Sequence, residues 1–141
     1  MIIKNYKWDN FFISTDPELS DIDAICSMLA KSYWASTRSR DVIKNSLKNS
    51  LCFNLFDGQR QIGIARVITD HATFAYLCDV FIEEEYRGRG LGKWLLECIL
   101  DYPTLKEIKK FMLATRDAHN FYRKFGFEEL QNPEKYMEIS R

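Results

Sequence analysis

Glycine is scarce in this chain, at 6 of 141 residues, against an average of roughly 7% in soluble proteins. An excess of one charge is missing altogether. The 20 Lys+Arg match the 20 Asp+Glu, which excludes a module that holds a phosphate backbone by charge alone, so nucleic acid is not an expected partner. No uninterrupted run approaches the ~20 apolar residues of a membrane span. The Met1 to Asn10 stretch mixes Lys4, Lys7 and Asp9 with aromatics, so it lacks the apolar core of a signal peptide, and a cytoplasmic protein with no membrane partner is expected. Paired cysteines are absent too. Cys26, Cys52, Cys78 and Cys98 stand far apart, with no C-x-x-C and no Cys/His cluster of zinc-ligand spacing, and they read as reduced, mostly buried thiols with no metal. There is no repeat, low-complexity tract or long linker. The length makes a single domain over residues 1–141 the default, and 46% hydrophobic with 14% aromatic content excludes disorder.

Hydrophobic spacing divides the chain. Phe11 to Ile13 reads as a first strand closed by Asp16-Pro17. Ser20 with Asp23 resembles a capping box for a helix whose apolar face is Ile22, Ile25, Cys26, Leu29 and Tyr33. A second helix is expected from about Ser39 to Lys48, with Val42, Ile43 and Leu47 inward, and the link from Trp34 to Arg38 is aromatic and basic. Leu51 to Phe56 and Gln61 to Thr69 flank Asp57-Gly58 as a hairpin. Thr73 to Ile82 is apolar at nearly every position, as in a strand at the centre of a sheet. Leu91 to Tyr102 has helical spacing and stops at Pro103. Phe111 to Ala114 reads as a strand, Asp117 to Lys124 as a short helix ended by Gly126, and Tyr136 to Ile139 as a final strand. That order predicts one mixed sheet with helices on both faces, an α/β or α+β fold.

Three of the six glycines fall within five residues. Gly88, Gly90 and Gly92 lie where the strand ending at Ile82 passes through Arg87-Gly88-Arg89-Gly90-Leu91-Gly92-Lys93 into a helix. A helix N-terminus aims free backbone N–H groups and a favourable dipole at one point. Glycine permits the positive φ of an anion-binding nest, and Arg87, Arg89 and Lys93 add charge around it. The junction therefore reads as a phosphate site rather than a plain tight turn. It is not a P-loop, because three residues rather than four separate Gly88 from Gly92 and Trp94 follows Lys93. Nor does it have the G-x-G-x-x-G spacing of a dinucleotide fold.

The segment Asp79-Val80-Phe81-Ile82 to Tyr86-Arg87-Gly88-Arg89-Gly90-Leu91-Gly92 resembles the acetyl-CoA motif of the GNAT acetyltransferase superfamily, Arg/Gln-x-x-Gly-x-Gly/Ala after a central strand, here Arg87, Gly90 and Gly92. Ala118 to Phe127 resembles the family's second signature, in which an alanine four residues before a tyrosine leads to a Gly-Phe close. The element order is similar too. The resemblance implies a mixed, mostly antiparallel central sheet that splays open, with acetyl-CoA as co-substrate. Its pyrophosphate would rest on the amides of Arg87, Gly88, Arg89, Gly90, Leu91, Gly92 and Lys93, and its pantetheine arm would pair with Val80, Phe81 and Ile82. It also implies direct acetyl transfer to an amine, with Tyr122 as the acid for the leaving thiolate and a backbone N–H near Val80 for the oxyanion. The same tyrosine position also suits a core residue among Phe121 and Phe125.

Asp79 is the charged residue in the Tyr76 to Ile82 run, where a carboxylate is costly unless paired or functional. It orients the amine or relays its proton, or else it is a strand-end aspartate bonded to nearby backbone. Glu83 to Glu85 read as a solvated run. Many family members carry asparagine seven residues before the tyrosine, where this chain has Thr115. Trp34, Arg38 and Arg40 are where the family places acceptor contacts, so the implied acceptor is a small-molecule amine, bound by a monomer or homodimer. Two rivals stand beside this reading: acetylation of a protein amino group, and a CoA-binding module without catalysis.

Overall fold

A computed structural model describes residues 2–141, and Met1 of the N-terminal stretch lies outside the described residues. The chain opens with a hairpin. β1 (Asn5–Trp8) and β2 (Phe11–Ser14) pair antiparallel, turning at Asp9 with a φ of +53°. Only β2 was expected, because the β1 residues Asn5, Tyr6, Lys7 and Trp8 carry no apolar run. α1 (Ile22–Ala30) follows. Its N-cap is Asp21, whose side chain accepts from the Ala24 N–H, and not the expected Ser20. Ser20 instead accepts at its hydroxyl from the Asn54 side-chain amide at 3.0 Å, within a buried polar cluster. There Gln61 donates to Asn54 at 2.8 Å and accepts from the Asp21 N–H at 2.8 Å. The cluster pins the start of α1 to the sheet and leaves its polar atoms satisfied, as buried amides require.

α2 (Arg40–Lys48) starts at Ser39, whose hydroxyl accepts from the Val42 N–H. Ile43 and Leu47 are buried, but Val42 is 53% exposed, one helical step off the buried face. α1 likewise ends before Tyr33, which is exposed. β3 (Leu51–Asp57), β4 (Arg60–Thr69) and β5 (Phe74–Ile82) form an antiparallel meander, then α3 (Leu91–Asp101) leads to β6 (Lys110–Leu113) and α4 (His119–Arg123). The sheet order is β1-β2-β3-β4-β5-β6, antiparallel throughout except for the parallel β5 and β6 pair. Tyr136–Ile139, expected as a last strand, is not one: Met137 is 98% exposed. β5 is therefore second from the edge rather than central.

Two cores flank the sheet. α1 and α2 bury Ile25, Met28, Leu29, Ile43 and Leu47 against Cys52, Ile64 and Phe81. α3 buries Leu91, Leu95, Leu96 and Ile99 on the other face, against Phe53, Val67 and Leu77. The amphipathic stripe seen in the sequence is what places each helix.

β5 changes side part-way along. Arg66 faces Cys78, yet Ile64 faces Phe81, so Ala65 alone spans Asp79 and Val80. Asp79 takes a φ of +51°, the left-handed conformation of a bulged residue. Beyond the bulge, Phe81 enters the α1/α2 core, whereas Leu77 before it belongs to the α3 core.

Candidate active site

β5 pairs with β6 only over Phe74–Leu77. From Cys78 to Ile82, among the described residues, that edge of β5 has no strand beside it, and the sheet opens into a V. The opening runs from the bulge to the glycine loop.

At the loop, Gly88 has a φ of +79° and Gly90 a φ of +84°. Gly90 is the N-cap of α3 and offers no side-chain cap, and the first helical bond comes from the Trp94 N–H to the Gly90 carbonyl. The N–H groups of Leu91, Gly92 and Lys93 thus have no helical carbonyl to bond, the geometry that an anion nest would require. Arg87 donates through Nε to the Ile82 carbonyl at 2.7 Å, with its guanidinium over the Phe81 ring, and Arg89 donates to the Glu85 carbonyl at 3.1 Å. Among the described residues, Arg87, Arg89 and Lys93 are in no ion pair. Their positive charge is uncommitted. Glu83 differs from the expected solvated run: its side chain is 15% exposed and bonds Lys31.

A side chain at Gly90 would point at Trp8, whose ring lies 3.7 Å from the position of a Cβ, and the left-handed backbone there costs any other residue about 1–2 kcal/mol. Relieving that strain turns the Gly90–Leu91 peptide out of the nest. Gly90→Val is therefore expected to raise the KM for an anionic CoA donor about tenfold, since about 1.4 kcal/mol is one decade, with kcat little changed; an unaltered KM would remove the nest from the donor site.

At the other end of the opening lies a cavity of about 720 Å³ between the link after α1, β5, and the loop from Leu113 to Ala118, with Tyr122 among its lining residues. Asp79, 4% exposed, lines it and is held by three donors. It accepts from Arg66 Nε at 2.8 Å, from Arg38 Nη1 at 2.9 Å and from the Trp34 indole at 2.8 Å. Burial alone would raise its pKa, but the Arg66 hydrogen bond and charge, helped by Trp34 and Arg38, outweigh it and hold the carboxyl below its ordinary value. The sequence singled out Asp79, Trp34 and Arg38 separately, and the fold brings all three together. Arg66 was missed: it sits in β4 among apolar residues, and its 8% exposure could only have been suspected from the cost of a cation in such a strand. Arg40 is not part of the group. It bonds Asp23 at 2.6 Å on the exposed surface of the first helix pair.

Tyr122 is 9% exposed, packed against Phe121 and Phe127. Burial, with Tyr33 a smaller contributor, pushes its hydroxyl up to about 12. Among the described residues that hydroxyl has no hydrogen-bond partner, although its ring lines the cavity. Tyr122 is thus a core residue that also borders the cavity. Thr115, at the expected asparagine place, accepts from the Ala118 N–H at 3.0 Å in the turn that precedes α4. Across the rim, the Arg116 N–H donates to the Tyr33 hydroxyl at 3.2 Å and the Arg116 guanidinium stacks 3.7 Å over the Tyr33 ring.

Residues 48–129, from the end of α2 to just past α4, match the family model described as an acetyltransferase (GNAT) domain. The chain belongs to the GNAT acetyltransferase family. A GNAT-family protein of Xanthomonas campestris pv. campestris is similar in structure, with 40% identity, a TM-score of 0.90 and 93% of each chain covered. The acetyltransferase FG08082 of Gibberella zeae is 30% identical over 89% of this chain and 84% of its own length. The histone acetyltransferase TAP1 of Glycine max is 30% identical over 80% of this chain, which spans about half (53%) of that relative. GNAT acetyltransferases use acetyl-CoA as donor, and the nest, the free cations and the open edge of β5 are chemically suited to a pyrophosphate and an amide-bearing arm. This GNAT chain is accordingly an N-acetyltransferase.

Proposed function

We propose that the protein moves the acetyl group of acetyl-CoA directly to the primary amine of a small molecule that also carries an anionic group. The observation behind this reading is the cavity: its 720 Å³ falls within the roughly 300–1,000 Å³ of small-ligand pockets, and the Tyr33–Arg116 contact ties its two walls at the rim. Arg38 and Arg66 share the single carboxylate of Asp79, so that cluster keeps a net positive charge, which disfavours a polyamine and suits a carboxylate or similar anion beside the reacting amine.

Bound at the nest of Arg87 to Lys93 and along Val80 to Ile82, acetyl-CoA would supply an acetyl group activated as a thioester. The protein's own groups would do the rest. The backbone at Val80, turned by the bulge, offers a donor to the developing oxyanion. Tyr122 offers its O–H to the departing sulfur. With its pKa near 12 and a thiol near 8.5, full proton transfer from Tyr122 is uphill, so its contribution is a hydrogen bond that strengthens as charge builds on sulfur. Asp79, saturated by three donors and held anionic, acts by fixing the bulge and placing Arg38 and Trp34 around the acceptor.

Among the residues lining this cavity there is no histidine, and Asp79 is saturated by its three donors, so in this reading the amine arrives deprotonated. kcat/KM is expected to climb about tenfold per pH unit towards the acceptor's own pKa, roughly 10 for an alkylamine. Tyr122 adds no falling limb below pH 10, because its raised pKa keeps it protonated there. A plateau beginning between pH 6 and 7 would reveal a protein base and overturn this assignment.

The test of function is a thiol-release assay across an amine panel. Amines bearing a carboxylate should turn over faster than their neutral analogues, and absence of CoA binding would sink the reading outright. Labelled acetyl groups appearing only on protein in a lysate would move the acceptor to a macromolecule.

A further inference from the structure

A second cavity, of about 460 Å³, lies among the link before α1, one face of α2 and the start of β3. Its volume is within the roughly 300–1,000 Å³ of small-ligand sites, and it shares no lining residue with the cavity around Asp79. Asp41, Lys44, Asn45 and Lys48, three and four residues apart, make up the α2 face that lines it. Ile22, Leu47 and Cys52 give it apolar surface. Burial pushes the Cys52 thiol up to about 12 and so keeps it neutral.

The polar groups left over there are mostly donors. Among the described residues, Lys44 and Lys48 are in no ion pair. The Ser20 hydroxyl accepts from Asn54 and donates to no group of the chain. The Asn45 carboxamide accepts from Asn49 through its oxygen, and its nitrogen is unbonded. Against the two lysines stands one lining carboxylate, Asp41. The other acids close by are committed or turned away. Asp16 and Asp21 accept from the Glu18 and Ala24 N–H groups, Asp23 bonds Arg40, and Glu18 is exposed and does not line the cavity. Two cations against one anion leave the lining with a net positive charge beside its apolar surface.

Ser50 leads from this cavity to the other. Its hydroxyl donates to the Ser46 carbonyl at 2.7 Å and accepts from Arg66 Nη1 at 3.0 Å, and Cys52 faces Arg66 across the β3 and β4 pair. Arg66 donates in turn to Asp79, which also holds the Trp34 indole. We propose that the α2 cavity is a regulatory site for a small carboxylate with an apolar body, and that its occupancy passes through Ser50 and Arg66 to Asp79. The carboxylate takes the donors of Lys44, Lys48, Asn45 and Ser20, and the body lies against Ile22 and Leu47. Because Ser50 lines the cavity and also fixes one end of the Arg66 guanidinium, a ligand that moves this hydroxyl shifts the end that meets Asp79. The sign of the effect on catalysis follows from charge. An anion on one side of Arg66 and the acceptor's anion on the other draw on the same cations, so the first weakens the second. That sign rests on the anionic acceptor proposed above; the site and its link to Asp79 do not.

Hexanoate is the probe, followed by amide NMR on the whole chain, with the Trp34 indole signal identified by its loss in Trp34→Phe. Hexanoate should move the amide signals of residues 44–50 and the Trp34 indole signal with one shared half-saturation, at about 1–10 mM for so small a ligand. Hexanamide and hexylamine should leave both in place. Lys44→Gln with Lys48→Gln should weaken both responses at least about tenfold, the cost of losing charge-assisted bonds, while basal acetylation and the unfolding midpoint hold. In Ser50→Ala the α2 signals should still respond and the indole signal should not; Ser50→Thr, which keeps the hydroxyl, should restore it. Saturating hexanoate should raise the KM of an anionic acceptor about fivefold, a modest coupling between two sites. Silent α2 signals, equal binding of hexanamide, an indole response that survives both lysine substitutions, or one that is absent while α2 responds in the unaltered chain would each overturn the proposal. An unchanged KM beside intact NMR responses would overturn the inhibitory sign and, with it, the anionic acceptor on which that sign rests.

Discussion

Asp79→Asn is expected to lower the stability of the protein by about 3–5 kcal/mol, the cost of removing one partner from a buried ion pair and leaving the other charge uncompensated. Arg66 is 8% exposed, and its Nε relies on the Asp79 carboxylate. Its remaining bond in that region is to the Ser50 hydroxyl at 3.0 Å. An amide in place of the carboxylate still accepts one bond, but it neutralises neither Arg66 nor Arg38. Set against the 5–15 kcal/mol that holds a typical domain folded, this is a large fraction, and urea unfolding at pH 7 would read it directly. A loss below about 1 kcal/mol would mean that solvent reaches Arg66 after all. Removing the cation as well, with Arg66→Met in the same chain, should recover part of the loss, because a buried pair replaced on both sides by neutral groups no longer strands a charge. The pH dependence has a definite sign. The folded-state pKa of Asp79 is lowered, so its stabilisation is present above the unfolded carboxyl value of about 4 and fades as the pH falls through the folded one. The gap between wild type and Asp79→Asn should therefore be constant from pH 7 to 5 and narrow below about 4.

This network explains which parts of the site the sequence could reveal. The glycine loop was legible because its requirement is local: positive φ at Gly88 and Gly90 and the cations Arg87, Arg89 and Lys93 around them fall in one run of consecutive letters. Asp79 was legible as an anomaly, a charge in an apolar strand, but its partners lie 13, 41 and 45 residues away, and no periodicity connects them. Only the register of β4 on β5, with its bulge, carries Arg66 to the carboxylate. The same physics accounts for the misread elements. Asn5–Trp8 forms a strand because β2 offers it an edge, not because its residues favour one. Tyr136–Ile139 has strand chemistry, but after the Tyr136 ring meets Lys110 of β6 the segment turns outward, leaving Met137 and Ile139 exposed and unpaired. Arg40 was drawn into the acceptor group by its place in the link, but the start of α2 turns it outward to Asp23.

Tyr122→Phe is expected to reduce kcat by about 10²–10³, the usual cost of losing one preorganised hydrogen-bond donor to developing charge, with little change in the KM for acetyl-CoA or in the unfolding midpoint. The stability half of that expectation follows from the structure: the ring carries the packing against Phe121 and Phe127, and the hydroxyl has no partner among the described residues, so deleting it leaves no buried group unsatisfied. The kinetic half follows from where charge develops. An O–H held neutral by burial, its pKa near 12, contributes little to a ground-state thioester, whose sulfur is a poor acceptor. It contributes much to a sulfur becoming a thiolate, so its loss falls on the chemical step rather than on binding. The dependence on leaving group separates this role from a merely structural one. With acetyl donors of progressively more acidic thiols, which need less help to leave, the penalty of Tyr122→Phe should shrink towards unity. A penalty independent of the thiol would place Tyr122 in the packing of the cleft and hand the stabilisation of the leaving sulfur to solvent.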